Sequence, residues 1–272
     1  MENKATRYEV RDQIATVWLH RPDRMNAWTG RMHAEYRNAL VKADRDENVR
    51  AIVVTGSGRA FCVGGDSAAL EKHAEHGKYD PGTPTKMEQP GVGVDDNFDM
   101  SFAYQFGLQK PIVAAINGPA AGIGLALACF TDLRFAVKGV KLTTAHGKLN
   151  LPAEYGLSWI LPRVMGMTRA NELLLSSRVF MTEEALELGL VNNIFEPDEL
   201  LPKTYDYLEN LFVNVSPNAL RQTRWQIYRD QHRGVKAAIA DSERLIERMM
   251  TEADYAEGVK AFLEKRSPSW TD

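Results

Sequence analysis

Two glycine-bearing turns hold the residue types and spacing that do chemistry. Arg59-Ala60-Phe61-Cys62-Val63-Gly64-Gly65-Asp66 follows the apolar run AIVVTG (51–56), and Asn117-Gly118-Pro119-Ala120-Ala121-Gly122-Ile123-Gly124 follows PIVAAI (111–116). Glycine lets a ligand approach the main chain closely, so both turns can expose backbone N–H groups. The run IGLALACF (123–130) after the second turn is rich in helix formers. Its first N–H groups therefore lack intrahelical partners and suit developing negative charge. Two such groups converging on one oxygen stabilise an enolate or a tetrahedral oxyanion, with about 3–4 kcal/mol lost per donor removed. Tight turning and close helix packing would call for the same glycines. A phosphate loop is disfavoured, because no Lys-Ser/Thr pair follows either turn.

The elements that must position these turns are legible around them. YEVRDQIATVWLH (8–20) is rich in β-branched and aromatic residues on either side of Asp12 and Gln13, which predicts a two-stranded hairpin. Met32, Tyr36, Ala39, Leu40 and Ala43 fall on one helical stripe. AIVVTG, PIVAAING (111–118) and LRFAV (133–137) read as short buried strands, and strands alternating with helices indicate an α/β fold. Between residues 71 and 100 the composition turns to Gly, Pro and acidic residues, which predicts a mobile loop outside the core. From about Leu200 the pattern is helical, in ALRQTRWQIYRD, GVKAAIADSERLIERMM and DYAEGVKAFLEKR, which predicts a helical C-terminal appendage.

The 272 residues, 44% of them hydrophobic and 25% charged, suffice for one large domain or a domain with an appendage. A net charge of −3 with scattered Lys and Arg argues against nucleic acid. MENKATRYEV has no apolar run of signal-peptide length and no later stretch is long enough to span a bilayer, so the chain reads as soluble, cytoplasmic and without membrane contact. Cys62 and Cys129 each lie in an apolar segment, which suits buried thiols in a reducing compartment better than a disulfide or zinc, and no metal is expected.

The paired turns resemble those of the crotonase superfamily, the enoyl-CoA hydratase/isomerase family. The resemblance runs through RPDRMNA (21–27), GRAFCVGGD (58–66), KPIVAAINGPAAGIGLALACFTDLRFA (110–136), GLSWILPRVMG (156–166), EEALELGLVN (183–192) and EGVKAFLEKRSP (257–268), in that order. It implies a crotonase-like spiral of ββα units over residues 1–200. It also implies a helical region, 201–272, for coenzyme A contact and for assembly into a homotrimer or dimer of trimers. The substrate would be a coenzyme A thioester, with no permanently bound cofactor. Its carbonyl would sit in an oxyanion hole whose donors, by position, are the N–H groups of Gly65 and Ile123. Family members usually have Gly at the second position, but the donor is the peptide group, so Ile123 can serve.

Hydratases of this family add water with two glutamates, and alignment places these at Ala126 and His146, so neither is present. Ala126 has no proton to move. Glu154, seven residues before Leu161 of LPRVMG, matches the base of single-carboxylate enoyl-CoA isomerases. One base suffices there, because it removes the α proton and returns it to the γ carbon while the oxyanion hole holds the dienolate. His146 lies eight residues before Glu154. A His-carboxylate pair would instead suit hydration or β-diketone carbon–carbon cleavage, but the hydrolases with a comparable His place their Asp where this chain has Tyr155, a residue that can simply line the pocket. A non-catalytic acyl-CoA binder is a third reading. The resemblance also places coenzyme A near Met25, Asn26 and Ala27 through main-chain groups, and near Phe262 and Lys265 of the last helix, with Arg24 and Arg59 available to phosphates. Asp66 is expected to cap its turn, and Asp132 and Arg134 to make structural contacts.

Overall fold

The computed structural model describes residues 3–77, 82–84, 87, 90, 91, 93, 94 and 98–271. Asp12 and Gln13 take left-handed backbone, φ 48° and 65°, and the two-residue turn they form matches the natural twist of a hairpin. It joins β1 (Thr6–Arg11) to β2 (Ile14–Leu19) in the register Thr6 to Leu19 through Arg11 to Ile14. The Thr29 hydroxyl accepts the Met32 N–H and starts α1 (Gly30–Arg45), whose stripe of Met32, Tyr36, Ala39, Leu40 and Ala43 is buried.

β3 (Ala51–Gly56) is buried along its whole length, as a parallel strand covered on both faces must be. α2 (Ser67–His76) follows, then β4 (Ile112–Ile116), β5 (Ala120–Ala121), α3 (Ile123–Cys129), β6 (Leu133–Val137) and β7 (Lys141–Thr143). α4 (Leu157–Met165), α5 (Met167–Ser176), β8 (Val179–Met181), α6 (Thr182–Glu187) and β9 (Asn193–Phe195) complete the spiral. The large sheet runs β1-β2-β3-β4-β6-β9, parallel except for the hairpin. The small sheet runs β5-β7-β8, and bridges from Cys62 to Ala120 and from Trp28 to Gly65 continue it. Each circuit therefore lays one strand in the large sheet and one short extended segment beside the small one before entering a helix. This is the α/β spiral of ββα units that the sequence implied.

The expected loop at 71–100 needs correction. Residues 71–76 are the end of α2, which Asp66 caps and Gly77 closes in a left-handed C-cap (φ 58°). At the other end Phe98 is 5% exposed and packs into the core, because one aromatic ring buries more apolar surface than the surrounding Gly and Pro composition suggests. Residues 78–81, 85, 86, 88, 89, 92 and 95–97 lie outside the described residues, and so does the rest of that expectation.

The C-terminal helices are α7 (Leu200–Asn214), α8 (Pro217–Asp230), α9 (Val235–Met249) and α10 (Ala253–Glu264). α7 packs across β4, β6 and β9. From α8, the buried Arg224 guanidinium donates to the Asp132 carboxylate (2.7 Å) and to the carbonyls of Phe106 (3.0 Å) and Gln105 (2.5 Å), while the Tyr228 hydroxyl donates to the other Asp132 oxygen (2.5 Å). A buried cation persists only when its donors are matched in this way. Arg134 donates to the carbonyls of Leu190 and Thr131, so Asp132 and Arg134 are both structural.

Candidate active site

The first donor turn is fixed by Trp28. Its N–H donates to the Gly64 carbonyl (2.7 Å), and its carbonyl accepts the Asp66 N–H (3.1 Å). In such a parallel bridge the flanking residues make the bonds, so the N–H of the intervening Gly65 points the other way. Asp66 then caps α2, with Oδ1 accepting the Ala68 N–H (3.1 Å) and Oδ2 paired with Arg21 (2.8 Å). Arg21 also donates to the Ala27 carbonyl (2.6 Å), tying this turn to the 21–27 loop.

The second donor turn lies against the first. Cys62 donates to the Pro119 carbonyl (3.2 Å), and its own carbonyl accepts the Ala121 N–H (3.0 Å). A Cβ on Gly124 would stand 2.2 Å from that Cys62 carbonyl oxygen, so only glycine permits this closeness. Gly122 takes φ 49°, ψ −118°, a conformation for glycine alone, and redirects the chain into α3 with Ile123 as its first residue. The Ile123 N–H is thus left without an intrahelical acceptor. Among the described residues, neither the Gly65 nor the Ile123 N–H has an acceptor.

Glu154 and His146 come to the same place from the segment after β7. Gly122 donates to the Thr143 carbonyl (3.1 Å), and His146 donates to the Thr144 carbonyl (2.7 Å). Glu154 Oε2 lies 3.6 Å, and the Thr144 carbonyl oxygen 3.8 Å, from the point where a Cβ on Gly122 would stand. Burial pushes the half-buried Glu154 carboxyl above the ordinary carboxylate range, and the positive charge of His146 pulls it partly back. No hydrogen bond joins the two side chains among the described residues. His146 is 7% exposed, and its Nδ1 is buried with no partner among the described residues, a costly condition that a substrate group can relieve. Ala145, Asn150 and Tyr155 bracket the pair with left-handed backbone, φ 60°, 56° and 50°. For residues other than glycine this strain is about 1–3 kcal/mol each, and it clusters where geometry matters. Ala126 is wholly buried in α3, so no second carboxylate stands there.

Beside Glu154 opens a cavity of about 290 Å³ whose walls include Phe98, Phe102, Phe130, Tyr155, Trp159 and His232. Tyr155 lines it, as expected. The other rings are not singled out by the sequence, although Phe98, Phe102 and Phe106 recur every fourth residue. Behind them His33 sits among Trp28 and Phe102, where burial, reinforced by Arg37, lowers its pKa to about 4. Cys62 and Cys129 are buried free thiols, with burial pushing Cys62 up to about 12 and Cys129 to about 11. Among the described residues no cluster of three or more His, Cys, Asp or Glu could hold a metal, and no helix is long and apolar enough to cross a membrane.

A family model described as enoyl-CoA hydratase/isomerase matches residues 9–272. The chain belongs to the enoyl-CoA hydratase/isomerase family, a family of enzymes. Among its relatives, 1,2-epoxyphenylacetyl-CoA isomerase of Escherichia coli is 33% identical over 263 residues, 96% of each chain. A probable enoyl-CoA hydratase of Mycobacterium tuberculosis is 33% identical over 274 residues, 96% of this chain and 90% of the other. Among solved structures, a probable enoyl-CoA hydratase/isomerase from Mycobacterium abscessus superimposes with a TM-score of 0.84 at 28% identity, covering 98% of both chains.

The polar groups of the 21–27 loop are extensively engaged within the chain. Asn26 is buried, donating from Nδ2 to the carbonyls of Ser57 (2.9 Å) and Ala60 (2.7 Å) and accepting the Arg21 N–H (2.8 Å). The N–H groups of Met25, Asn26 and Ala27 all donate within the loop, so what it offers a ligand is carbonyl acceptors. Arg24 and Arg59 are exposed. Phe262 is 82% exposed on α10, and Lys265, in the left-handed C-cap that follows (φ 55°), is exposed as well.

Proposed function

We propose that this crotonase shifts a double bond in an enoyl-CoA thioester with Glu154 as its base. The observation that carries this reading is a lone half-buried carboxylate beside the Gly122–Ile123 turn, with no second carboxylate at Ala126. The thioester oxygen accepts the N–H groups of Gly65 and Ile123. Glu154 removes a proton from the α carbon of a 3-enoyl thioester, negative charge moves onto the thioester oxygen, and the protonated Glu154 returns the proton to the γ carbon, giving the conjugated 2-enoyl thioester. Burial that raises the Glu154 pKa strengthens it as a base once ionised. Purified protein given a 3-enoyl-CoA should form the 2-enoyl product, and Glu154→Gln should lose most of that rate. An unchanged rate would reject the assignment.

The unpartnered His146 Nδ1 supports a second reading, in which His146 and Glu154 together activate water for hydration or for carbon–carbon cleavage of a β-diketone. Hydration of crotonyl-CoA, or diketone cleavage, that disappears in His146→Ala would select it over isomerisation. A non-catalytic acyl-CoA binder would instead bind thioesters tightly and exchange no α protons in deuterated water.

The carbonyl of the half-buried Met25 suits the exocyclic amine of adenine, while the wholly buried Asn26 and the nearly buried Ala27 shape the loop that presents it. Phe262 and Lys265, standing free on α10, suit a coenzyme A bound to a neighbouring protomer. Val235, Ile239 and Ile246 of α9 and Met250 at its C-cap are also exposed, and a homotrimer or dimer of trimers built through residues 201–272 would cover such apolar surface. Sedimentation of the purified protein tests this. The two buried thiols accord with a cytoplasmic enzyme.

A further inference from the structure

The cavity beside Glu154 is walled by ring after ring, and the rings hold one another in place. Phe98 meets Trp159 edge-on (centroids 6.3 Å, 80°) and His232 edge-on (5.1 Å, 78°), while His232 stacks parallel to Trp159 (5.6 Å, 6°). Phe102 packs on Tyr155 (5.8 Å) and edge-on against Trp28 (5.3 Å). Behind this layer Phe106 touches Phe98, Phe130 and Trp159 and stacks on Tyr228 at 3.9 Å, and Arg163 lies over the Trp159 ring at 4.0 Å. Walls braced in this way are preformed and give little, so a guest must match their shape.

Two physical terms then favour a flat guest over a chain. A ring adds edge-to-face and offset-stacked contacts beyond the area it buries, which an alkyl chain lacks. It also surrenders few rotors on entering, where an alkyl chain surrenders one for every methylene fixed. The placement is equally specific. Tyr155 and Gly156, both in the cavity wall, directly follow Glu154, and a Cβ on Gly156 would stand 3.1 Å from the Phe130 ring. The cavity therefore opens at the two residues that directly follow the proposed base, on the side of the chain where the acyl group of a thioester held by Glu154 would extend.

Resting on the reading that Glu154 works on an acyl-CoA, we propose that this pocket selects a thioester whose acyl group carries an aromatic ring close to the reacting carbon. Trp159 is the residue that determines this specificity.

The test is titration calorimetry of the full chain with phenylacetyl-CoA and with octanoyl-CoA, which have equal numbers of acyl carbons. Phenylacetyl-CoA should bind about tenfold tighter, and Trp159→Leu should bring the two within about threefold of each other. Equal affinities in the wild type, or a Trp159→Leu variant that weakens both alike, overturn the proposal. Circular dichroism checks that the variant folds. Should it unfold, His232→Ala, at an exposed position, should lower the ratio by about threefold, and an unchanged ratio counts against the proposal. α-Proton exchange in deuterated water keeps the two readings apart. Exchange on octanoyl-CoA that depends on Glu154, with no ring preference, sinks the ring proposal and leaves the base standing. A ring preference with no exchange that depends on Glu154 sinks the base and leaves the pocket.

Discussion

If the Ile123 N–H is an oxyanion donor as proposed, Ile123→Pro removes it without altering any catalytic side chain. Ile123 is the first residue of α3, where its N–H has no helical acceptor and where proline is well tolerated. The preceding residue is Gly122, which has no Cβ to clash with the proline ring. The substitution therefore deletes the N–H and part of a buried aliphatic side chain, and leaves the helix hydrogen bonds intact. Loss of a single oxyanion donor lowers kcat by about 10²–10³, equivalent to about 3–4 kcal/mol in the transition state, with KM changed much less because the ground-state carbonyl carries little charge. Ile123→Val keeps the N–H and loses one methylene, so it should unfold about 1 kcal/mol more easily while its rate stays near wild type. The assay is conversion of 3-enoyl-CoA to the conjugated thioester, followed by absorbance, with thermal unfolding run on each variant. A folded Ile123→Pro protein with kcat within about fivefold of wild type would refute the oxyanion role of this peptide group.

Other outcomes follow from the same geometry. Because burial raises the Glu154 pKa and the base must be ionised, the acid limb of kcat/KM should lie above 4.5, and His146→Gln, which removes the opposing positive charge, should move that limb to still higher pH; a limb that moves down or stays would break the coupling between the two groups. His33 has its pKa lowered from 6.5 to about 4 in the fold, so its contribution to stability is complete above 6.5 and is lost as pH falls toward about 4. Urea unfolding near pH 5 should then show the wild type losing about 2 kcal/mol relative to neutral pH beyond any loss in His33→Phe, and parallel losses in the two proteins would contradict this. Gly124→Ala forces a Cβ against the Cys62 carbonyl and should destabilise the protein by about 1–3 kcal/mol or more while separating the donor turns, measured by urea unfolding together with turnover; an active, fully stable variant would show that the turns are not held by that approach.

The sequence by itself determined the local elements and the two glycine-bearing turns. The Asp12-Gln13 hairpin, the α1 stripe, the buried strands and the C-terminal helices are each written in nearest-neighbour spacing, because amphipathic period and turn chemistry act over a few residues. Glycines at 122 and 124 are equally legible as turn residues, and the distance of Glu154 from Leu161 in a resembling motif marks it as the candidate base. Residues 71–76 read as loop because the composition of a long window hides the end of a short helix bounded by its caps, Asp66 and Gly77.

Only the tertiary structure decided what these residues face. That Gly65 points its N–H away from Trp28 depends on a bridge across 37 positions, a partnership no local pattern encodes. That the Glu154 carboxylate reaches Gly122 depends on a segment turned by left-handed residues at Ala145, Asn150 and Tyr155, of which Ala145 and Tyr155 run against local preference. The ring-walled cavity draws on residues from 98 to 232, combining buried rings such as Phe102 and Phe130 with the half-buried Trp159 and the exposed His232 from distant segments. Local sequence sets the conformation of a segment, whereas a site is made where separate segments stop against one another, and packing sets those stops.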